Sequence, residues 1–189
     1  MTKRKAALFG VLIVMVLIGS ILFVDFPGLA STSQTNGAYD LVLPLICKPF
    51  QCGVDPTPPG GACPSECDYC AAGICFIQCT SNSCRDSTIN CPSGFSCNVM
   101  CADESCINSS IFCPDLYACQ VYCAGGTWGC EDLTIDCSAE GMCSLDCEGM
   151  ACSDTLLNCG NDVCAASCLD LGSCTPLVNC GDSCSCSYP

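Results

Sequence analysis

From residue 75 onward, apolar and polar positions alternate in short bursts that return on a fixed beat. Cys75-x-Ile77-x-Cys79, Cys97-x-Val99-x-Cys101, Cys119-x-Val121-x-Cys123, Cys143-x-Leu145-x-Cys147 and Cys164-x-Ala166-x-Cys168 are copies of one pattern. Period-two alternation marks a strand with one buried face, because successive side chains leave a strand on opposite sides. A second burst places Ile89, Ile111, Ile135, Leu157 and Val178 each two residues before a cysteine. A third sets a small residue (Ser83, Ser105, Gly129, Ala151, Ser173) directly before one. Turn formers such as Pro92-Ser93-Gly94, Pro114-Asp115 and Gly160-Asn161-Asp162 lie between the bursts. The pattern predicts three short strands and three turns per repeat. No window holds a 3.6-residue period long enough for a pair of helices.

The cysteines set the length of the beat. Cys84, Cys106, Cys130, Cys152 and Cys174 are separated by 22, 24, 22 and 22 residues. Three further columns keep step: Cys91, Cys113, Cys137, Cys159, Cys180; Cys97, Cys119, Cys143, Cys164, Cys184; and Cys79, Cys101, Cys123, Cys147, Cys168. The 24 reflects a two-residue insertion within Ala124-Gly125-Gly126-Thr127-Trp128-Gly129. Self-similarity at this period is the signature of a solenoid. The expected fold is all-β: a disulfide-rich parallel β-helix, or β-solenoid, of about five 22-residue coils, preceded by an N-terminal apolar helix. Stacked coils lie about 4.8 Å apart, so matching cysteines on neighbouring coils fall within disulfide reach. Bridges between coils and bridges within one coil both remain open at this point. Either kind stabilises a fold with few large buried side chains, by roughly 2–4 kcal/mol per bridge.

Ahead of the repeat the pattern changes. Lys3-Arg4-Lys5 precedes an uncharged apolar run from Ala6 to Val24, followed by Pro27 and the small residues Gly28-Leu29-Ala30. Residues 1–30 thus read as a signal peptide or, if uncleaved, as a membrane anchor spanning residues 6–24. The positive flank would keep the N-terminus inside and place the body outside. Residues 31–62 read as a linker and N-terminal cap, with a turn-rich connector at Asp55-Pro56-Thr57-Pro58-Pro59-Gly60-Gly61. Cys47 and Cys52 stand close enough to close a small loop together. Residues 63–189 form the cysteine-rich solenoid.

Composition narrows the chemistry. The 27 cysteines among 189 residues fit an oxidising compartment and not a reducing cytosol. Their number is odd, so at least one is left to be free, capped or bonded to another chain; Cys186, which breaks the column spacing, is the expected one. Cys184-Ser185-Cys186 is an isolated Cys-x-Cys, too little for a thiolate cluster, and Cys67-x-x-Cys70 reads as an irregular first coil. Beyond Ala30 only Lys48 and Arg85 face eighteen carboxylates, about −16 in all. That sign argues against nucleic-acid partners. Histidine is absent, which removes the commonest general base and metal ligand. No enzyme activity, catalytic residue, metal or cofactor is expected.

The stretches Ser83-Cys84-Arg85-Asp86-Ser87-Thr88-Ile89-Asn90-Cys91-Pro92 and Val99-Met100-Cys101-Ala102-Asp103-Glu104-Ser105-Cys106 resemble a style of extracellular cysteine-rich tandem repeat. The resemblance covers about residues 75–186 and implies a surface or secreted protein without catalytic residues. Later copies drift, with Leu156-Leu157 and Pro176-Leu177-Val178 replacing Thr-Ile. In general form the body also resembles the disulfide-laddered solenoids of insect antifreeze proteins. Their ice face is a flat array of threonines. The corresponding positions here are Thr88/Asn90, Ser110/Phe112, Thr134/Asp136, Leu156/Asn158 and Leu177/Asn179, and the hydroxyl row is broken by leucines.

A rigid extracellular or cell-surface scaffold is the expected role, with self-association through solenoid ends or the odd cysteine. Uncapped ends expose strand edges that pair readily. The alternative is a binding module for glycan, protein or ice, using one solenoid face. Phe76, Phe95, Phe112, Tyr117, Tyr122 and Trp128 are its aromatic candidates, with Trp128 on the extended loop as the expected anchor. Glu131, Asp132 and Asp136 are carboxylates that a Ca²⁺ ion would want, though no Ca²⁺-loop motif is present. Asn108-Ser109-Ser110 is a glycosylation sequon.

Overall fold

A computed structural model of the chain describes residues 52–125, 128–169 and 174–189. The expected leader, the apolar helix, Cys47 and the rest of 31–51 lie outside the described residues. Those described belong to one unit spanning Pro49–Pro189.

The body is an all-β solenoid of five coils built on two parallel sheets. Long strands make the first: β2 (Ile74–Cys79), β4 (Ser96–Ala102), β6 (Cys119–Ala124), β8 (Cys143–Cys147) and β10 (Val163–Cys168). Short strands make the second: β3 (Thr88–Asn90), β5 (Ser110–Phe112), β7 (Thr134–Asp136), β9 (Leu156–Asn158) and β11 (Leu177–Asn179). The long sheet gains β1 (Tyr69–Ala71) at one edge and β12 (Ser185–Ser187) at the other. Every pairing is parallel and in register except β1–β2, which is an antiparallel hairpin. The long sheet therefore ends in an antiparallel strand, β1, on the N-terminal side and a parallel one, β12, on the other. Tyr69 and Phe76 stack across that hairpin with ring centroids 4.5 Å apart.

Each coil has two strands, not three. The third burst, with its small residue before a cysteine, forms a stacked turn. Asp86, Asn108, Asp132 and Asp154 recur there once per coil at φ of 55–56°. That left-handed conformation suits Asp and Asn best after glycine. The turns still stack like a ladder: Asp86 N–H donates to Ile107 O at 3.0 Å and Asn108 N–H to Glu131 O at 2.9 Å. Two buried hydroxyls complete this side, Thr155 donating to Cys130 O at 2.6 Å and Ser109 to Ile107 O at 3.2 Å. A turn costs this side nothing in backbone satisfaction, because neighbouring coils supply the partners.

The core is narrow. Ile77, Val99, Val121, Leu145 and Ala166 point inward from the long sheet, and Ile89, Ile111, Ile135 and Leu157 from the short one. One large apolar side chain per strand per coil is what the alternating pattern predicts. Cysteines fill the corners on both sides of these rows.

At one corner the backbones of successive coils touch. A Cβ on Gly160 would lie 1.5 Å from Ser138 O, and one on Gly141 would lie 2.3 Å from Tyr117 O. Only glycine lets the coils close to ladder spacing there. Gly160→Ala is expected to destabilise the oxidised protein by about 3 kcal/mol or more, as overpacking against backbone does. Phe112→Ala, on an exposed strand position, is expected to change stability by no more than about 0.5 kcal/mol. Guanidinium unfolding of both variants measures the contrast.

Candidate functional site

All 26 described cysteines are paired, in thirteen disulfides. Twelve are local, joining residues five to eight apart. The bridges lie within coils and not between them. One stack closes the corner after each long strand: Cys79–Cys84, Cys101–Cys106, Cys123–Cys130, Cys147–Cys152 and Cys168–Cys174. The other closes the corner after each short strand: Cys91–Cys97, Cys113–Cys119, Cys137–Cys143, Cys159–Cys164 and Cys180–Cys186. Sulfurs of neighbouring coils still touch, Cys113 Sγ lying 3.9 Å from Cys143 Sγ. The first, irregular coil uses Cys63–Cys70 and Cys67–Cys75, so the Cys67-x-x-Cys70 pair is not bonded to itself.

Two cysteine assignments are corrected. Cys186 is not the odd one: it bonds Cys180 and pairs in register with Cys164, so it, and not Cys184, closes the third column. Cys52 does not close a loop with Cys47. It bonds Cys184, 132 residues away. With those 26 accounted for, Cys47 is the one cysteine of the 27 outside this network.

The Cys52–Cys184 bond anchors a segment that composition marks only as a connector. Residues 52–60 run lengthwise over the corner between the short and long strands. Gly53 N–H donates to Asp162 Oδ1 at 2.6 Å, Met142 N–H donates to Asp55 Oδ1 at 3.0 Å, and Gly60 N–H donates to Gly94 O at 3.1 Å. Pro58 packs over Gly73, where a Cβ would meet Pro58 O at 3.3 Å. The contacts fall on four different coils in order along the axis, so the segment is a strap. Its reach fits: eight residue steps in a polyproline-like conformation span about 25 Å, and four coil steps need about 19 Å. The prolines at 56, 58 and 59 hold that extended form with little entropy to lose.

Two carboxylates meet where the strap crosses the coils. Asp162 is 2% exposed, and its Oδ1 also accepts from its neighbour Val163 N–H at 2.7 Å. Asp55 Oδ2 is buried without a hydrogen-bond partner. Burial raises the Asp55 pKa above the ordinary aspartate value, the Met142 N–H opposes this, and the nearby Asp162 charge adds to it.

The outer faces of both sheets are regular and largely self-satisfied. On the short sheet the predicted rows are real: Thr88, Ser110, Thr134, Leu156 and Leu177 align, as do Asn90, Phe112, Asp136, Asn158 and Asn179. Asn158 donates to Asp136 at 2.8 Å. On the long sheet Asn98 donates to Gln120 at 3.0 Å and Gln120 to Asp146 at 3.1 Å. The aromatic candidates do not gather on one face. Phe95 is buried, against expectation, while Phe76 belongs to the hairpin stack and Tyr122 donates to Glu148 at 3.1 Å. Phe112 and Trp128 are exposed but lie on the short sheet and the turn side respectively. Asn108 is exposed in its turn and donates to Asp86 at 2.6 Å.

Glu131, Asp132 and Asp136 do not converge. Among the described residues, every group of three side chains close enough to share a metal ion includes disulfide sulfurs. Those sulfurs are not thiolates and make poor ligands. The geometry offers mechanical fixation and regular surfaces, and among the described residues the group with a shifted titration, Asp55, belongs to the strap itself.

The Asp55 environment makes a signed prediction. A carboxyl whose folded pKa is raised contributes stability that is full at acid pH and is lost as pH rises through the folded value. The strap contacts are therefore expected to hold more firmly on mild acidification. Asp55→Asn keeps an acceptor for Met142 N–H, carries no charge, and should abolish that dependence while stabilising the strap at neutral pH. Hydrogen exchange of the Met142 amide across pH, in wild type and variant, reads both effects.

No protein-family model, curated protein or solved structure matches this chain, so only its own residues bear on its role.

Proposed function

We propose that this chain is an exported structural protein, a rigid disulfide-fixed rod displayed outside the cell or at its surface. The observation that carries the proposal is the complete pairing of the 26 described cysteines, with each coil closed at two corners and the ends tied by a strap. Such bonding is typical of extracellular proteins and persists only where the surroundings are oxidising. The apolar stretch at 6–24, whether cleaved or retained as an anchor, is the element that would deliver it there. The outer side chains hydrogen-bond to one another along the rod, an arrangement suited to holding shape. The acidic surface keeps such rods soluble and discourages nucleic acid.

Self-association belongs to this reading. Cys47 falls between the apolar stretch and the strap, and the other cysteines are bonded to one another. It is the residue through which two chains would be joined covalently.

Three measurements test the proposal. Surface labelling and fractionation of producing cells should find the protein outside, and a broad-specificity protease should leave the oxidised solenoid intact long after the reduced, alkylated chain has been digested. On non-reducing gels the wild type is expected to run as a disulfide-linked dimer and Cys47→Ser as a monomer. An intracellular, fully reduced protein would end the structural reading. A wild-type monomer with one titratable thiol would end the covalent-dimer part alone.

A further inference from the structure

We infer that the Cys52–Cys184 disulfide is a reducible latch: thiol exchange opens this bond alone, frees the strap and leaves the coils intact. The inference does not rest on where the protein resides.

Accessibility sets this bond apart. Cys52 and Cys184 are both exposed, whereas in the twelve local bonds only Cys63 is. A thiolate must approach a disulfide sulfur to exchange with it; every corner bond but Cys180–Cys186 has at least one buried cysteine, and that last pair is half-buried at both. Cys63 has its partner Cys70 seven residues away within one small loop, so an opened Cys63–Cys70 pair recloses readily. Cys52, once released, sits on a segment held to the body by a few separate hydrogen bonds and the packing of Pro58 over Gly73.

The consequence of opening is also distinct. The strap is tied to the coils by Gly53 on Asp162, Met142 on Asp55 and Gly60 on Gly94. None of these is a rung of either sheet. Coil stacking relies on the in-register ladders and the core rows, none of which involves the strap. Loss of the latch thus detaches residues 52–60 without removing a strand, a core side chain or a corner bridge.

Local charge directs the exchange. Asp162 Oδ1 lies 3.5 Å from Cys184 Sγ, which disfavours a second negative charge on that sulfur. Cys52 is then the better leaving group. A thiolate of an external dithiol attacks Cys184 Sγ, the Cys52–Cys184 bond breaks, and Cys52 leaves as a thiolate that takes up a proton. The second thiolate of the reductant attacks its own sulfur in the mixed disulfide and displaces Cys184, which is also protonated. The dithiol is oxidised to its disulfide, and two electrons and two protons reach the protein.

Differential alkylation of the full, oxidised chain tests this. Free thiols are blocked with one reagent, dithiothreitol is titrated in under native conditions, and newly exposed thiols take a second reagent before peptide mapping. Cys52 and Cys184 are expected to carry the second label at dithiothreitol concentrations that leave the local bonds closed. In the same samples, hydrogen-exchange protection at the Met142 and Gly53 amides should fall about tenfold, while amides of β4, β6 and β8 keep theirs. Cys52→Ser should show the same loss without reductant. The latch is overturned if Cys63 and Cys70 label first, or if coil-corner cysteines label together with Cys52. It is equally overturned if the bond opens and Met142 protection is unchanged.

Discussion

A coil of two short strands encloses room for about one large side chain per strand, and that poverty of core governs the molecule. Ile111 from the short sheet and Val99 or Val121 from the long one are fully buried, and among the described residues only Phe95, Ile107 and Leu133 add large buried apolar side chains outside these rows. Burying such side chains contributes roughly 1.5–3 kcal/mol apiece, against about 1–2 kcal/mol of backbone entropy for every residue ordered. A chain so thin needs its unfolded state restricted. Local disulfides do this at the sharpest bends, where two corners per coil would otherwise be the loosest points. They also fill the corners, since cysteine packs as a small hydrophobe.

Much of this was legible because repetition amplifies a weak signal. One Cys-x-Val-x-Cys is ambiguous, but five copies on one beat define strand, inward face and coil length together. The inward rows from Ile77 to Ala166 and from Ile89 to Val178 follow directly from the alternation. The strand count did not follow, because a ladder-bonded turn and a strand share the same burial rhythm. The signal that separates them was present as Asp86, Asn108, Asp132 and Asp154, residues that tolerate left-handed backbone and weaken a strand. The short spacing within corners, such as Cys101 to Cys106, is compatible with pairing inside the coil. So is stacking at the inter-strand distance with pairing between coils, and only geometry separates the two.

The errors at the chain's far end share a cause. Assigning Cys184 to the third column assumed that the last coil simply shortens, yet the six-residue step seen from Cys91 to Cys97 also selects Cys186 after Cys180. Cys184 was then free to meet Cys52, a contact with no sequence signature because it joins residues 132 apart. The strap was hidden for a related reason. Proline and glycine mark a segment as neither helix nor strand, which describes a mobile linker and a bound extended chain equally well. What distinguishes them here is a set of partners on different coils: Asp162, Met142 and Gly94.

The two kinds of disulfide resist different deformations. A corner bridge such as Cys113–Cys119 fixes a bend but ties no coil to the next, so cohesion along the axis comes from the backbone ladders, the core rows and the main chain. The corner bonds do limit how far a peeled coil can extend. In the second coil, Cys101–Cys106 and Cys113–Cys119 remove separations of five and six residues from the extensible path. With about 3.4 Å available per extended residue, and each closed bridge still spanning 5.7 Å, a coil of 22 residues loses about a third of its reach. Cys52–Cys184 acts earlier, because it anchors the strap that crosses several coils and must be strained before the stack lengthens beneath it. Local bridges therefore limit the extent of any failure, and the strap opposes its onset.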